Sequence, residues 1–566
     1  MAAASHGMIR RRVIILFLLV TFLLTGLCLR LGYLQLFRSS WLSENATDQR
    51  IRNIPVEGKR GLIFDRKGRE LAVSKSIESV YAIPAEIKDV QDTAAKLAAI
   101  LNLQADDLSR NLAKRQAFVW VKRKVEPALA RKIQESALIG VGITQEGQRY
   151  YPNDEIAAHV LGFTGIDSQG LDGVEMTFDS ELKGTPGRIL VEYDARGREI
   201  PYANHRFIPP EPGNNIYLTI DLVVQKIVER ELDQIMTDTQ AAAATVVALE
   251  PATGKVLAMA NRPTYNPNHF GDYAPKFWRN LALSNAYEPG STFKIVTAAA
   301  ALNEKVVTLQ DRFYDPGAID VQGRQIHCWK EGGHGSESFA EVVQNSCNVG
   351  FVNVGLRLGR DSFYQYLEKS GFGHLTEIAL PGEAKGIVID KKDVKPINIA
   401  TLAMGQSIAV TPLQLASAVG AIVNDGNRLR PQIVEKVVSK DGRLVREIQP
   451  ESLGQVINFE TSAEVRGVLE KVVELGTGRN AFLAGYSVGG KTGTAQKVGA
   501  GGYMAGKYVA SFIGFAPVQK PQIVLLILID EPMGLYYGGQ IAAPAFAAMM
   551  KDILPYLQIP KMPDKQ

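Results

Sequence analysis

Three consecutive arginines, Arg10, Arg11 and Arg12, stand directly before an unbroken apolar run from Val13 to Leu29. Crossing a bilayer takes about 20 apolar residues. The run reaches that length once Arg30 snorkels its guanidinium to the interface and Leu31, Tyr33, Leu34 and Leu36 continue it. No small-x-small cleavage site follows Leu29, so a retained anchor fits better than a cleaved signal peptide. Basic residues on the N-terminal side predict that the N-terminus stays inside and everything after residue 40 lies outside the cytoplasm. The expected layout begins with a cytoplasmic tail at 1–12 and a transmembrane anchor at 13–36.

The remaining chain is long enough for two domains with their own cores: 566 residues in all, 46% of them hydrophobic. A net charge of +4 gives no case for nucleic-acid binding. Three cysteines are too few for a disulfide framework, and Cys28 sits in the apolar run as lipid-facing filler.

Residues 41–205 read as a mixed α+β region. Ile51–Val56 and Ser79–Ile83 alternate as strands do, and helical spacing appears over Asp92–Leu101, Asp106–Leu112 and Glu126–Glu135. A stiff Pro-rich segment, Ile208-Pro-Pro-Glu-Pro-Gly213, marks a linker at 206–215. Beyond it, Asp221 can cap a helix running to about Met236. Thr245–Leu249 and Val256–Ala260 form a hairpin pattern, and Tyr508–Phe515 with Ile523–Ile529 form a second. An apolar helix from about Ala543 to Tyr556 closes a second domain at 216–558. Strands at both ends with helices between predict an antiparallel sheet covered by helices.

Three short motifs lie inside that second domain. Ser291-Thr-Phe-Lys294 follows Glu288-Pro-Gly290 and leads into an apolar helical run. A serine hydroxyl is a weak nucleophile that needs a base. A lysine one turn away serves if burial lowers its pKa. Ser346-Cys347-Asn348 supplies a hydroxyl for proton relay and an amide for a peptide-like substrate. Lys491-Thr492-Gly493-Thr494, preceded by two glycines, supplies a cation, two hydroxyls and a strand edge that another backbone can approach closely. Each motif alone fits an ordinary helix start, turn or surface strand. Together, in this order and 55 and 145 residues apart, they match the set used by active-site serine β-lactamases and penicillin-binding proteins. The middle motif departs by carrying Cys for Asp.

The chain resembles the class B, high-molecular-mass penicillin-binding proteins over nearly its whole length. Arg60-Gly-Leu-Ile-Phe-Asp65-Arg-Lys-Gly68 is similar to that family's segment just outside the membrane, and Gly170-Leu-Asp-Gly-Val-Glu175 to its pedestal. Gly405-Gln-Ser-Ile-Ala-Val-Thr411 and Cys328-Trp-Lys-Glu-Gly-Gly-His334 are most like the sporulation-specific branch, with division and elongation branches as alternatives. The resemblance implies an elongated pedestal of the dimerisation type at 41–205, followed by a penicillin-binding/serine β-lactamase-like transpeptidase domain. It implies D-alanyl-D-alanine transpeptidation, with peptidoglycan stem peptides as substrates and β-lactams as inhibitors that acylate Ser291. Ser291, Lys294, Ser346, Asn348 and Lys491 would be catalytic, and Thr492, Gly493 and Thr494 would bind substrate. No glycosyltransferase-like domain fits before residue 205, so a separate glycan polymerase is the expected partner. A β-lactamase lacks such a pedestal, and a β-lactam sensor or scaffold would not need every catalytic residue.

The chemistry itself requires no cofactor. Yet Asp315, Cys328, His334 and Cys347 offer a carboxylate, two thiolates and an imidazole, a donor set that suits tetrahedral zinc. Certain class B relatives carry zinc at similar positions. A Cys328–Cys347 disulfide and two free thiols are the competing readings.

Overall fold

The computed structural model describes residues 6–56, 58–114, 116, 118–192, 206–499 and 501–562. The first five residues of the expected cytoplasmic tail and the expected pedestal end at residue 205 lie outside them. Contacts divide the chain into two compact units that interleave in sequence: Met1–Gly58, Ser76–Gly147 and Thr185–Glu211 form one, and Lys59–Lys75, Gln148–Gly184 and Pro212–Gln566 the other.

In the first unit, helix α1 (His6–Leu36) contains the whole apolar run. Its side chains stand exposed, Leu16 at 64% and Phe22 at 79%. It is long and apolar enough to cross a membrane, which fits a single-pass membrane protein. Ile51–Val56 is a strand, as its alternation predicts, and pairs antiparallel with Gly187–Glu192. The strand expected at Ser79–Ile83 is the later part of a longer one, Glu70–Ala82, whose residues from Ser76 onward belong to this unit. All three expected helices form, at Val90–Leu101, Ala105–Leu112 and Pro127–Glu135. The first starts where Asp89 accepts a hydrogen bond from the Asp92 N–H. Ala94, Leu97, Leu101, Leu108 and Ile133 bury their apolar faces in one cluster with Val80 and Val125.

The second unit is built on an antiparallel five-stranded sheet. Its strands are β1 (Ala243–Leu249), β2 (Val256–Arg262), β3 (Gly489–Gly499), β4 (Gly502–Ala516) and β5 (Ile523–Asp530), in the spatial order β2-β1-β5-β4-β3. Both expected hairpins are present, and β4 runs longer than its apolar stretch because Val498 pairs with Tyr503. Val246, Leu525, Ile527, Ala510 and Phe512 point to one face, where they pack with α2 (Leu222–Thr239) and with α8 (Gly538–Tyr556). Asp221 does cap α2, accepting from the Val223 N–H. The opposite face buries Val247, Leu526, Ile513 and Phe515 against α3 (Lys294–Asn303), α5 (Asn348–Lys369), α6 (Pro412–Val423) and α7 (Phe459–Glu474). This sheet between two helical layers is the expected α+β architecture. It leaves β3 as an edge strand, with one row of backbone groups unpaired by the sheet.

Candidate active site

Ser291 lies in a 3-10 turn, Gly290–Thr292, and α3 begins three residues later at Lys294. The nucleophile candidate therefore precedes the α-helix rather than opening it. Gly405 holds the turn from behind: the Gly290 N–H donates to its carbonyl at 3.0 Å. At Gly405, φ is +78°, and a Cβ there would stand 2.1 Å from the Gly290 carbonyl oxygen. Only glycine fits such an approach. Glu288 braces the other side, accepting from the Ser407 N–H at 2.8 Å and from the Tyr503 hydroxyl at 3.0 Å.

Lys294 is wholly buried at the first position of α3. Its Nζ donates to the Asn348 Oδ1 at 2.7 Å, to the Ser346 carbonyl at 2.8 Å and to the Ser346 Oγ at 3.3 Å. The first and second motifs are thus in direct contact. Ser346 adopts left-handed backbone, φ +58°, at the end of α4 (Phe339–Asn345), and Cys347 then caps α5 by accepting from the Gly350 N–H. That sharp reversal aims Ser346 and Asn348 at the same ammonium. Asn348 is fixed in turn by donating to the His327 carbonyl at 3.0 Å. Burial lowers the Lys294 pKa to about 8, against the opposite pull of Cys347 and Cys328. A lysine so placed is neutral often enough to accept a proton.

The third motif occupies the edge strand β3. A Cβ on Gly493 would meet the Ser511 Oγ at 2.4 Å, the Thr292 methyl at 3.0 Å and the Pro289 carbonyl at 3.2 Å. Glycine is what lets the strand lie against the serine turn. Lys491 is also fully buried, and among the described residues its Nζ donates to the Thr492 carbonyl at 3.4 Å and pairs with no carboxylate. Burial, then repulsion from Lys294, pushes its pKa well down. Thr492 Oγ1 donates to Thr477 Oγ1 at 3.1 Å, and Thr494 Oγ1 accepts from the Gly538 N–H at 3.0 Å, pinning the start of α8.

All eight expected catalytic and substrate-binding residues gather around one edge of the sheet. Sequence reading missed the supports: Glu288, Ser407 and Thr477. The Gly476-Thr-Gly478 triplet was the available signal for the last.

The chain matches the penicillin-binding protein transpeptidase domain over residues 244–551 and the penicillin-binding protein dimerisation domain over 55–218. It is 41% identical to stage V sporulation protein D of Bacillus subtilis, over 98% of this chain and 87% of that protein. It is 34% identical to peptidoglycan D,D-transpeptidase FtsI of Escherichia coli K12, over 94% of this chain and 89% of that one. This chain belongs to the class B penicillin-binding proteins. Among solved structures, penicillin-binding protein 3 of Mycobacterium tuberculosis in complex with aztreonam is similar, with a TM-score of 0.71 and 28% identity over 90% of this chain and 98% of that one.

The four expected zinc donors converge beside this site. The donor atoms of Asp315, Cys328, His334 and Cys347 all lie within 4.8 Å of one another. His334 Nδ1 is 2.8 Å from Asp315 Oδ2 and 3.5 Å from Cys328 Sγ, and Cys347 Sγ is 3.2 Å from Asp315 Oδ2. The two cysteines are free thiols, not a disulfide. Number, type and spacing of the donors fit a tetrahedral ion.

Proposed function

We propose that this chain cross-links peptidoglycan by D-alanyl-D-alanine transpeptidation through an acyl-enzyme on Ser291. Membership of the D,D-transpeptidase family supports the reaction class. The observation that carries the serine mechanism is the buried Lys294, held at 2.7 Å by Asn348 and at 2.8 Å by the Ser346 carbonyl, one turn from Ser291. Neutral Lys294 takes the Ser291 proton as Oγ attacks the penultimate D-alanine carbonyl of the donor stem peptide. Backbone N–H groups of Ser291 and of Thr494 on the strand edge hold the oxyanion. Lys491, short of an anionic partner, attracts the donor's terminal carboxylate with help from Thr492 and Thr494. Ser346 Oγ, 3.3 Å from Lys294 Nζ, passes the proton to the departing D-alanine. An amine from a second stem peptide then attacks the ester and releases Ser291. β-Lactams acylate the same hydroxyl and stay there.

Arg10–Arg12, ahead of the apolar run within α1, support a cytoplasmic N-terminus with the catalytic unit outside. A glycan polymerase supplies the strands to be linked. The similarity to a sporulation protein supports a sporulation or septal programme.

Full-length protein in detergent tests the nucleophile. Fluorescent penicillin is expected to attach one-to-one and to fail on Ser291→Ala. Equal labelling of the variant would reject Ser291.

We also infer that Asp315, Cys328, His334 and Cys347 hold a structural zinc ion. Bound there, the ion would supply no step of the reaction and would tie Cys347, inside the second motif, to the 315–334 hairpin region. Elemental analysis of the purified protein should give about one zinc per chain, falling to a trace in Cys328→Ser. Absence of metal from unmutated protein purified without chelator would sink the idea.

A further inference from the structure

The small ribbon that carries Asp315 pairs Arg312–Asp315 antiparallel with Gly335–Ser338 and sets Phe313 opposite Glu337. Residues opposite one another, or two apart on one strand, share a face. Phe313, Asp315 and Glu337 therefore point the same way. All three are buried, while Tyr314, between Phe313 and Asp315, is 69% exposed. Two carboxylates thus share the inner face of one ribbon. Asp315 is fully engaged: Oδ1 accepts from the Gly317 N–H, and Oδ2 from the His334 N–H and the Cys347 thiol. Glu337 is not. Its Oε1 accepts from the Asn345 side-chain amide at 2.6 Å, but its Oε2 has no hydrogen-bond partner, although the residue is only 5% exposed. No lysine or arginine among the described residues pairs with it. Oε2 lies 3.9 Å from His334 Nδ1, the ring nitrogen that also faces Asp315 and Cys328. A buried carboxylate oxygen with neither donor nor cation is costly unless something completes it.

We propose that Glu337 is a charged support of the metal site: an acidic residue outside the four donors, whose free oxygen is completed by the positive charge that a divalent ion brings to His334, an inference that rests on the zinc reading. Glu337 accepts no N–H from the ring, since Nδ1 is the nitrogen that faces the donors. Its contribution is charge against charge in a place that water does not screen. The Asn345 amide holds the carboxylate there before any ion arrives. The metal-free protein therefore bears an uncompleted buried charge, and the ion relieves it. Neutralising Glu337 has opposite consequences in the two states. The metal-free form loses nothing, and the metal-bound form loses part of its affinity. A glutamate with a merely structural role would be missed in both.

Full-length protein in detergent, kept reduced and stripped with EDTA, is titrated with zinc against a chromophoric chelator. Glu337→Gln, which keeps an acceptor for Asn345 and loses the charge, should bind zinc roughly 10- to 100-fold more weakly than unmutated protein. Glu331→Gln removes the same charge from an exposed position three residues before His334 and should change nothing. Without metal, Glu337→Gln should melt no lower than unmutated protein, and zinc should raise its melting temperature by less. Cobalt(II) in place of zinc reads the donors directly. Its absorption should be the same in Glu337→Gln as in unmutated protein, because the four donors are the same. Equal zinc affinity in Glu337→Gln and unmutated protein, or a metal-free Glu337→Gln that melts lower or fails to fold, would overturn the proposal. A changed cobalt spectrum would make Glu337 a donor itself and overturn its place outside the four. Unmutated protein that takes up no zinc would sink the zinc reading and this support with it, whereas zinc held equally by both proteins would sink the support alone.

Discussion

The Lys294 ammonium and the Asn348 side-chain oxygen are 2.7 Å apart, across 54 residues of sequence. That bond is the tightest link between the first and second motifs. Asn348 itself is held by the His327 carbonyl, so its oxygen is presented in one orientation. Asn348→Ala removes the link and leaves Lys294 with Ser346 alone. A lost bond to a charged, buried group costs about 1.5–3 kcal/mol, so penicillin acylation should slow by roughly 10- to 150-fold. Fluorescent-penicillin labelling rates measure this directly. An unchanged rate would remove Asn348 from the catalytic set.

The acylation rate should also rise with pH through about 8, the value to which burial lowers Lys294. The sign follows from the role. Below that pH the amine is protonated and cannot take the Ser291 proton; above it the base is free and the rate levels off. Stopped-flow acylation between pH 6 and 9.5 gives the profile. A flat profile, or one that falls across pH 8, would exclude Lys294 as the base.

Gly405 is expected to be as necessary as any residue that touches substrate. An added Cβ would lie 2.1 Å from the Gly290 oxygen and 2.7 Å from the Phe293 Cβ, and φ is +78°. Gly405→Ala must therefore push the serine turn toward β3 as well as bear left-handed strain. Gly442 separates the two effects, because its φ is +82° but nothing lies within 4 Å of its Cβ position. Gly442→Ala should cost only the strain, about 1–2 kcal/mol, and keep full penicillin labelling. Gly405→Ala should lose most of it. Equal labelling of the two would refute a packing role for Gly405.

The three motifs were legible because each puts its chemistry within four residues, and their order and spacing carry over the fold. The hairpins and the Asp221 cap were legible for a similar reason: alternation and capping are local. What escaped was set by contacts between distant segments. Nothing near Glu288 in sequence shows that Ser407 and Tyr503 will converge on its carboxylate. The start of α8 at Gly538, five residues before the expected Ala543, is fixed by Thr494 on another strand. The interleaving of the two units is likewise invisible to a reading that moves along the chain, since Lys59–Lys75 and Gln148–Gly184 belong with the catalytic sheet.

Those two returning segments are joined by a buried ion cluster, and its loss should be among the most damaging single changes away from the active site. Glu175 is fully buried and bonds Arg60 Nε at 2.6 Å and Arg149 Nε at 2.5 Å, with both arginine side chains no more than 3% exposed. Arg60 also reaches Asp179 at 2.6 Å and the Ser168 carbonyl at 2.9 Å, and Arg149 reaches the Gly61 carbonyl at 2.6 Å. Removing Glu175 leaves Arg60 with Asp179 alone and leaves the buried Arg149 guanidinium without a carboxylate. Breaking a buried pair in this way costs about 3–5 kcal/mol, because the remaining charge is uncompensated. Glu175→Ala should lower the unfolding temperature by many degrees or abolish soluble expression, while Glu175→Gln, which keeps one acceptor, should be intermediate. Asp361 is the control: its bond to Lys391, at 3.0 Å, is exposed at both ends, and such surface pairs contribute little. Asp361→Ala should leave the melting curve where it was. Thermal unfolding of the three full-length variants decides the matter, and a Glu175→Ala curve that overlays Asp361→Ala would show that the buried cluster does not hold these segments in place.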